Sequence, residues 1–411
     1  EIEELVQFNA EIFGAPYGSM FRRFVDNMPG FESKMNPYIR HLDSGRIASS
    51  ITAFPCTWSY DDLELRNLEM CFVGTLEPHR KKGLFSILYG HIDRLLKEDA
   101  YDITSVQGVP YLYRKFGYDL IIPSWNTINL PVDAIQAITL ETYPKMSDII
   151  VRSTEENDLP SMMTLLDETN RKLLVSTVRS KDLWLRQERL RMYETNGFES
   201  KVLVIDGAVD GYFRLMERIS SQGEKQIRLL IIRESCIRSY ESVMRALYYL
   251  KELANEKDAS VVAISGDLWS NLAAAAHDLG GRHDLIWKHQ IRIPDFTHFL
   301  NRIRPVLEKR LKGTMFEHLT KEIFINTYRN CFRLSFVDGA LQPIEDIGMQ
   351  PPNAYPDVRL LPDSFMRLIF GEFSVDDLHR QNLDCIVTRG NRLLMDTLFP
   401  VRKSFLFHYH C

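Results

Sequence analysis

Residues 68–96 read LEMCFVGTLEPHRKKGLFSILYGHIDRLL, and this stretch decides the fold. An apolar, strand-like run breaks into Pro78-His79-Arg80-Lys81-Lys82-Gly83 and resumes at once as a helix. The helix is predicted because Leu84, Ile87, Leu88, Ile92, Leu95 and Leu96 keep the three-and-four spacing of one buried stripe. Before the break, alternation places Glu69, Cys71, Val73 and Thr75 on one strand face. Gly74 weakens that strand from inside and is expected to mark a bulge or a close ligand approach, which frees backbone groups near Val73 and Thr75. After the break, Arg80 to Phe85 occupy the loop and the first helical turn. Free N–H groups and the positive end of the helix dipole favour an anion there. Arg80, Lys81 and Lys82 add positive potential, and Gly83 lets the chain come close. The expected anion is a pyrophosphate; the plainer alternative is a solvated basic turn.

Working outward, residues 2–13 read as an amphipathic helix. RIASSITAF (46–54), ELRNLEMCFVGT (64–75) and DITSVQGV (102–109) read as strands, with a helix over 84–97 between the last two. This α/β unit closes near NTINLPVD (126–133). A second unit repeats the order: strand, loop and helix over 148–173, a hairpin about Asp206-Gly207, a long strand at 225–235, a helix at 239–254 and a strand at 259–266. The third segment opens with the helix FTHFLNRIRPVLEKRL (296–311). It continues through strands at 322–328 and 332–339, crosses MQPPNAYPD (349–357), and ends in short helices near 363–371 and 391–399. Strands and helices segregate there, which is α+β in style. The expected domains are 1–133, 134–293 and 294–411.

Composition agrees with a folded, multi-domain chain. Its 411 residues are 45% hydrophobic and 26% charged, with a net charge of −5, which excludes a disordered or fibrous class. No basic stripe marks a nucleic-acid partner, and no apolar run is long enough to span a membrane. The cysteines at 56, 71, 236, 331, 385 and 411 form no C-x-x-C pair, so a reducing, cytoplasmic setting is expected. His408, His410 and Cys411 alternate as metal ligands sometimes do, but the tail is read as a terminal strand and no metal is expected.

The segment Arg80-Lys81-Lys82-Gly83-Leu84-Phe85 at a strand-to-helix junction is followed about 25 residues later by VPYLYRKFGYD (109–119). Together they resemble the GNAT superfamily of N-acetyltransferases, whose phosphate loop reads R/Q-x-x-G-x-G/A. Phe85 departs from the small final residue of that loop. The whole layout resembles the enhanced-intracellular-survival (Eis) branch. That resemblance implies an α/β (α+β) fold: two tandem GNAT-like mixed α/β domains, the first catalytic and the second degenerate, followed by a sterol-carrier-protein-like α+β domain. The second unit has RESCIRSYESVMRAL (233–247) where the basic glycine loop should be, so one active site per chain is expected. Relatives form hexamers, which implies a homo-oligomer.

The resemblance also implies the chemistry. Acetyl-CoA would be the cosubstrate, held by backbone groups at Val73 and Thr75 along the pantetheine arm and by Arg80, Lys81, Lys82, Gly83, Leu84 and Phe85 around the pyrophosphate. The N–H of Val73 would polarise the thioester carbonyl. Tyr113 matches the family's general acid for the leaving thiolate. The acceptor would be a primary amine of a small molecule or a lysine-like group, which must lose a proton to attack. Two bases are candidates: Glu69, four residues before Val73, and the terminal carboxylate of Cys411, as in the Eis branch. Glu69 also reads as a strand-edge surface charge. A competing function is a non-catalytic acyl-CoA sensor or lipid carrier, against which the intact set Arg80, Gly83 and Tyr113 argues.

Overall fold

The computed structural model describes all residues except 125, 194, 223–224, 267–268, 285–286, 352–353, 355–356 and 408–411, and leaves aside the side chains of 193, 221, 222 and 225. Two seven-stranded mixed sheets and one six-stranded sheet carry the described chain. In the first, the strands run in the order Tyr38–Arg40, Ile47–Tyr60, Leu63–Thr75, Ile103–Val106, Trp287–Arg292, Asp119–Ser124, and Val175–Val178 pairs with the far half of Ile47–Tyr60. In the second, the order is Arg282–His283, Thr127–Pro131, Val261–Ser265, Lys225–Ile237, Ala208–Gln222, Glu199–Ile205, Ile150–Ser153.

The two sheets repeat one topology and exchange one strand each. In both, a long antiparallel hairpin leads through a helix to a parallel strand, as a crossover connection requires. The strand closing each repeat then crosses to the other sheet. Thr127–Pro131 pairs with Val261–Ser265, while Gln290 of the Trp287–Arg292 strand sits between Val106 and Leu120. The boundaries expected at 133 and 293 therefore separate two strands from the sheets in which they pair. The expected hairpin at Asp206-Gly207 is present, with φ of 49° and 79° at its two central residues, the left-handed pair that a two-residue turn needs.

Helix Leu84–Glu98 lays Leu88, Ile92, Leu95 and Leu96 on Leu68 and Met70 of the first sheet. Ile87 does not join them: it is 65% exposed, and Leu84 is only half-buried. The buried stripe is thus narrower than the spacing predicts. On the opposite face, helices Ile2–Phe13 and Ala15–Asn27 pack Leu5, Phe8, Phe21 and Phe24 against Phe54 and Phe72, each burial contributing roughly 1.5–3 kcal/mol. Helix Phe296–Leu311 of the third unit shares a continuous core with Trp58, Tyr60, Leu65 and Ile291 of the first sheet. That unit is α+β, its sheet flanked by helices Pro362–Ile369, Val375–Gln381 and Arg389–Leu398.

Candidate active site

The site begins where two parallel strands part. The ladder between Leu63–Thr75 and Ile103–Val106 ends at Met70 opposite Val106, although the first strand runs on to Thr75. Just beyond, Thr52 pairs with Cys71 but Ser50 with Gly74, so Ile51 faces both Phe72 and Val73 across a bulge. Phe72 takes φ 38° to make it. The bulge lies at Phe72, one residue short of Val73, and not at Gly74. Gly74 is small for another reason: a Cβ there would come within 2.6 Å of Ile12 Cδ1. The bulge also overturns the expected alternation. Cys71 and Phe72 pack towards Phe21 and Phe24, whereas Val73 packs towards Leu88 and Ile92 on the other face.

Past Thr75 the chain makes one 3-10 turn, Glu77–His79, and enters the basic stretch. Arg80 folds back so that its Nε donates to the Thr75 carbonyl at 3.2 Å. Lys81 and Gly83 both have left-handed backbone, with φ of 62° and 75°. Gly83 is the N-cap of helix Leu84–Glu98, and no side chain among the described residues caps it. The first-turn N–H groups are therefore left for an anion. The φ at Gly83 favours glycine, and nothing lies within 4 Å of where a Cβ there would be, so the turn is open. Thr75, Arg80, Lys81, Gly83, Phe85 and Lys115 line a cleft of about 320 Å³ over this turn, with Leu84 also in its wall. Val73 and Lys82 are not in that wall. Lys115 is an addition that sequence spacing did not indicate.

Tyr113 stands on the short helix Pro110–Arg114, buried on the same side of the sheet as the cleft. Phe85 reaches it, with ring centroids 6.0 Å apart edge to face, and also stacks on Tyr89 at 5.8 Å. The bulky residue in place of the usual small one thus packs beside Tyr113. Gly108 clears space for the phenol ring, since a Cβ there would lie 2.7 Å from Tyr113 Cε2. Burial pushes the phenol pKa well up, and the nearby Cys71 thiol adds to the shift. Tyr113 is therefore a protonated donor throughout the neutral range.

Glu69 is not a surface charge: it is 4% exposed. Its Oε1 lies 4.0 Å from His289 Nδ1, and the Cys56 thiol approaches its other oxygen at 4.0 Å. His289 comes from the exchanged strand, packs edge to face on Trp58 at 5.7 Å and touches Gln107 at 3.0 Å. No local signal in the sequence could link it to Glu69.

The chain's last described residues approach the same region. Lys403 O accepts from Leu174 N at 2.7 Å, Phe405 N donates to Val175 O at 3.1 Å, and Phe407 O accepts from Thr177 Oγ1 at 2.9 Å. Phe405 and Phe407, two residues apart, both pack on Trp269, at 5.3 and 6.0 Å. Thr177 in turn pairs with Trp58. Cys411, with His408, Tyr409 and His410, lies outside the described residues.

The second repeat keeps the strand geometry but closes the site. Its parallel ladder likewise ends at Ile232, and Arg233 is bulged out between Ile232 and Glu234. At this place Glu234 is clasped by Arg179, and the Tyr212 hydroxyl donates to it at 2.6 Å. Arg214 stands 3.8 Å from Glu234 and bonds Glu188 at 2.7 Å. The following helix, Tyr240–Lys257, starts two residues after the strand and is capped by Ser239. The Asp210 carboxylate accepts from the hydroxyls of Ser239 and Ser242 there, at 2.5 and 2.6 Å. An internal carboxylate thus holds the position that a phosphate would need.

Comparison with known proteins bears on the domain and the fold. Residues 1–121 match the sequence profile of an acetyltransferase (GNAT) domain. Among solved structures, the chain is similar to a GCN5-related N-acetyltransferase from Anabaena variabilis, with TM-score 0.72 and 14% identity over 99% of this chain and 96% of that one. It is similar to a probable N-acyltransferase from Enterococcus faecalis, with TM-score 0.71 and 10% identity over 100% and 97% of the two chains. A third likeness is to Eis1 from Mycobacterium abscessus, with TM-score 0.57 and 13% identity over 96% and 97%. At these identities the likeness is one of fold. No curated protein matches the sequence.

Proposed function

We propose that the chain transfers the acetyl group of acetyl-CoA to a primary amine of a small molecule or a lysine-like acceptor, a reading supported by the match of residues 1–121 to an acetyltransferase (GNAT) domain. One observation carries this reading: a bulged strand that parts from its neighbour after Met70 and leads into an uncapped, left-handed helix start at Gly83. The parted strand offers backbone groups near Val73 and Thr75 to the pantetheine arm. The turn offers first-turn N–H groups and the charges of Arg80, Lys81 and Lys82 to the pyrophosphate.

Within this reading the steps fall to named residues. The Val73 N–H stabilises the oxyanion that forms as the amine attacks the thioester carbonyl. Tyr113 gives its proton to the departing thiolate. Deprotonating an amine of lysine-like basicity at pH 7 costs roughly 4–5 kcal/mol, so a base is needed. Glu69 serves, with His289 beside it to pass the proton on; the alternative is the terminal carboxylate of Cys411. The second repeat binds no acyl-CoA, because Asp210 already satisfies its helix start.

An acceptor screen tests the reading: acetyl-CoA, the full chain and a panel of amines, with release of free thiol followed. Amine-dependent thiol release with an acetylated product supports it. Thiol release that no amine accelerates would overturn it.

A further inference from the structure

We propose that the cleft between the first unit and the C-terminal unit holds the 3′-phosphorylated adenosine end of the acyl-CoA, with Arg329 supplying a cation for the 3′-phosphate. The proposal rests on the acyl-CoA reading of the turn. This cleft has a volume of about 870 Å³. One wall is helix Leu84–Glu98 and the residues after Tyr113; the other is the C-terminal unit around Arg329 and Asn330. Ser86, Lys115 and Phe116 line both this cleft and the smaller one over the turn, so the two are one continuous groove. A nucleotide whose pyrophosphate sits at the turn carries its adenosine directly into the larger part.

The walls suit that group. Ser86 and Gly90 lie one helical turn apart, and nothing occupies the space within 4 Å of a Gly90 Cβ, which leaves a flat surface for a planar base. Phe116 adds an aromatic ring to the same wall.

Charge selects the phosphate end. Asp93 is held by Arg292 at 2.6 Å and Asp119 by Arg367 at 2.6 Å. Arg114 reaches Asp119 only at 3.6 Å, and Asp363 accepts its neighbour's N–H at 2.7 Å. Lys115 lies over the Tyr111 ring at 4.3 Å without an ion pair among the described residues. Arg329 is exposed and has neither ion pair nor hydrogen bond among them. Its backbone is nonetheless fixed. Thr327 N donates to Asn330 O at 2.8 Å, Asn330 N donates to Thr327 Oγ1 at 3.2 Å, and the Tyr328 hydroxyl donates to Asp384 O at 2.8 Å. A guanidinium on a fixed turn, free to fork onto a phosphate, is the expected partner for a dianion.

The test is isothermal titration of the full chain with CoA and with 3′-dephospho-CoA, for the parent and for Arg329→Ala. A charge-assisted phosphate contact predicts that the parent prefers CoA by roughly 10-fold. Arg329→Ala should lose most of that preference while binding 3′-dephospho-CoA as the parent does, which also shows that it is folded. Equal affinity of the parent for the two ligands, or an undiminished preference in Arg329→Ala, would overturn the subsite alone. Failure of the parent to bind either would overturn the acyl-CoA reading and the proposal with it.

Discussion

Glu69 Oε1 and His289 Nδ1 lie 4.0 Å apart in the interior of the first sheet, joined only because the strand that closes the second repeat crosses into the first. In the proposed reaction Glu69 is the base and His289 takes its proton onward. Glu69→Gln is expected to lower turnover roughly 10²-fold and to flatten the acidic limb of kcat/KM. Removal of residues 408–411 should leave that limb in place. A fully active Glu69→Gln enzyme beside an inactive truncated one would give the role to the terminal carboxylate instead.

For Tyr113, burial holds the phenol protonated well past its ordinary range. Tyr113→Phe should therefore lower kcat roughly 10²-fold with little change in acetyl-CoA affinity. In the parent, no alkaline loss assignable to Tyr113 should appear near pH 10. A Phe variant that is less stable but turns over at the parent's rate would make Tyr113 a packing residue.

Glu234 predicts the acid stability of the second repeat. Its burial would raise the carboxyl pKa, but Arg179 and Arg214 outweigh that and hold it at about 2, against 4.5 ordinarily. The folded pKa is depressed, so the stabilisation is present above 4.5 and is lost as pH falls from there towards 2. The amount is on the order of 3 kcal/mol. Glu234→Gln should be less stable at pH 7 by about 3–5 kcal/mol, since the buried Arg179 guanidinium loses its carboxylate partner while Arg214 keeps Glu188. It should also lose less than the parent between pH 5 and pH 3, read by urea unfolding. Parallel acid losses in the two proteins would contradict the assignment.

The parts of the site that are local in the chain were legible in its sequence. Helix Leu84–Glu98 and the glycine at its start rest on spacings of a few residues, Tyr113 on a short motif, and the structure packs Phe85 of that helix against Tyr113. What was not legible depends on distant chain. Gly74 is explained by Ile12, the burial of Glu69 by His289, and the exposure of Ile87 by where the helix rests on its sheet. The strand exchange leaves no composition signal at all, because Thr127–Pro131 and Trp287–Arg292 read equally well as the last strands of their own units.

On the proposed reading each chain has one acyl-CoA site, at the Gly83 turn. Isothermal titration of acetyl-CoA into the parent and into Gly83→Asp tests it most directly, since the variant puts a carboxylate where the pyrophosphate would sit and a side chain where φ is 75°. One site per chain in the parent and none in the variant is the predicted result; two sites in the parent, or undiminished binding in Gly83→Asp, would contradict it.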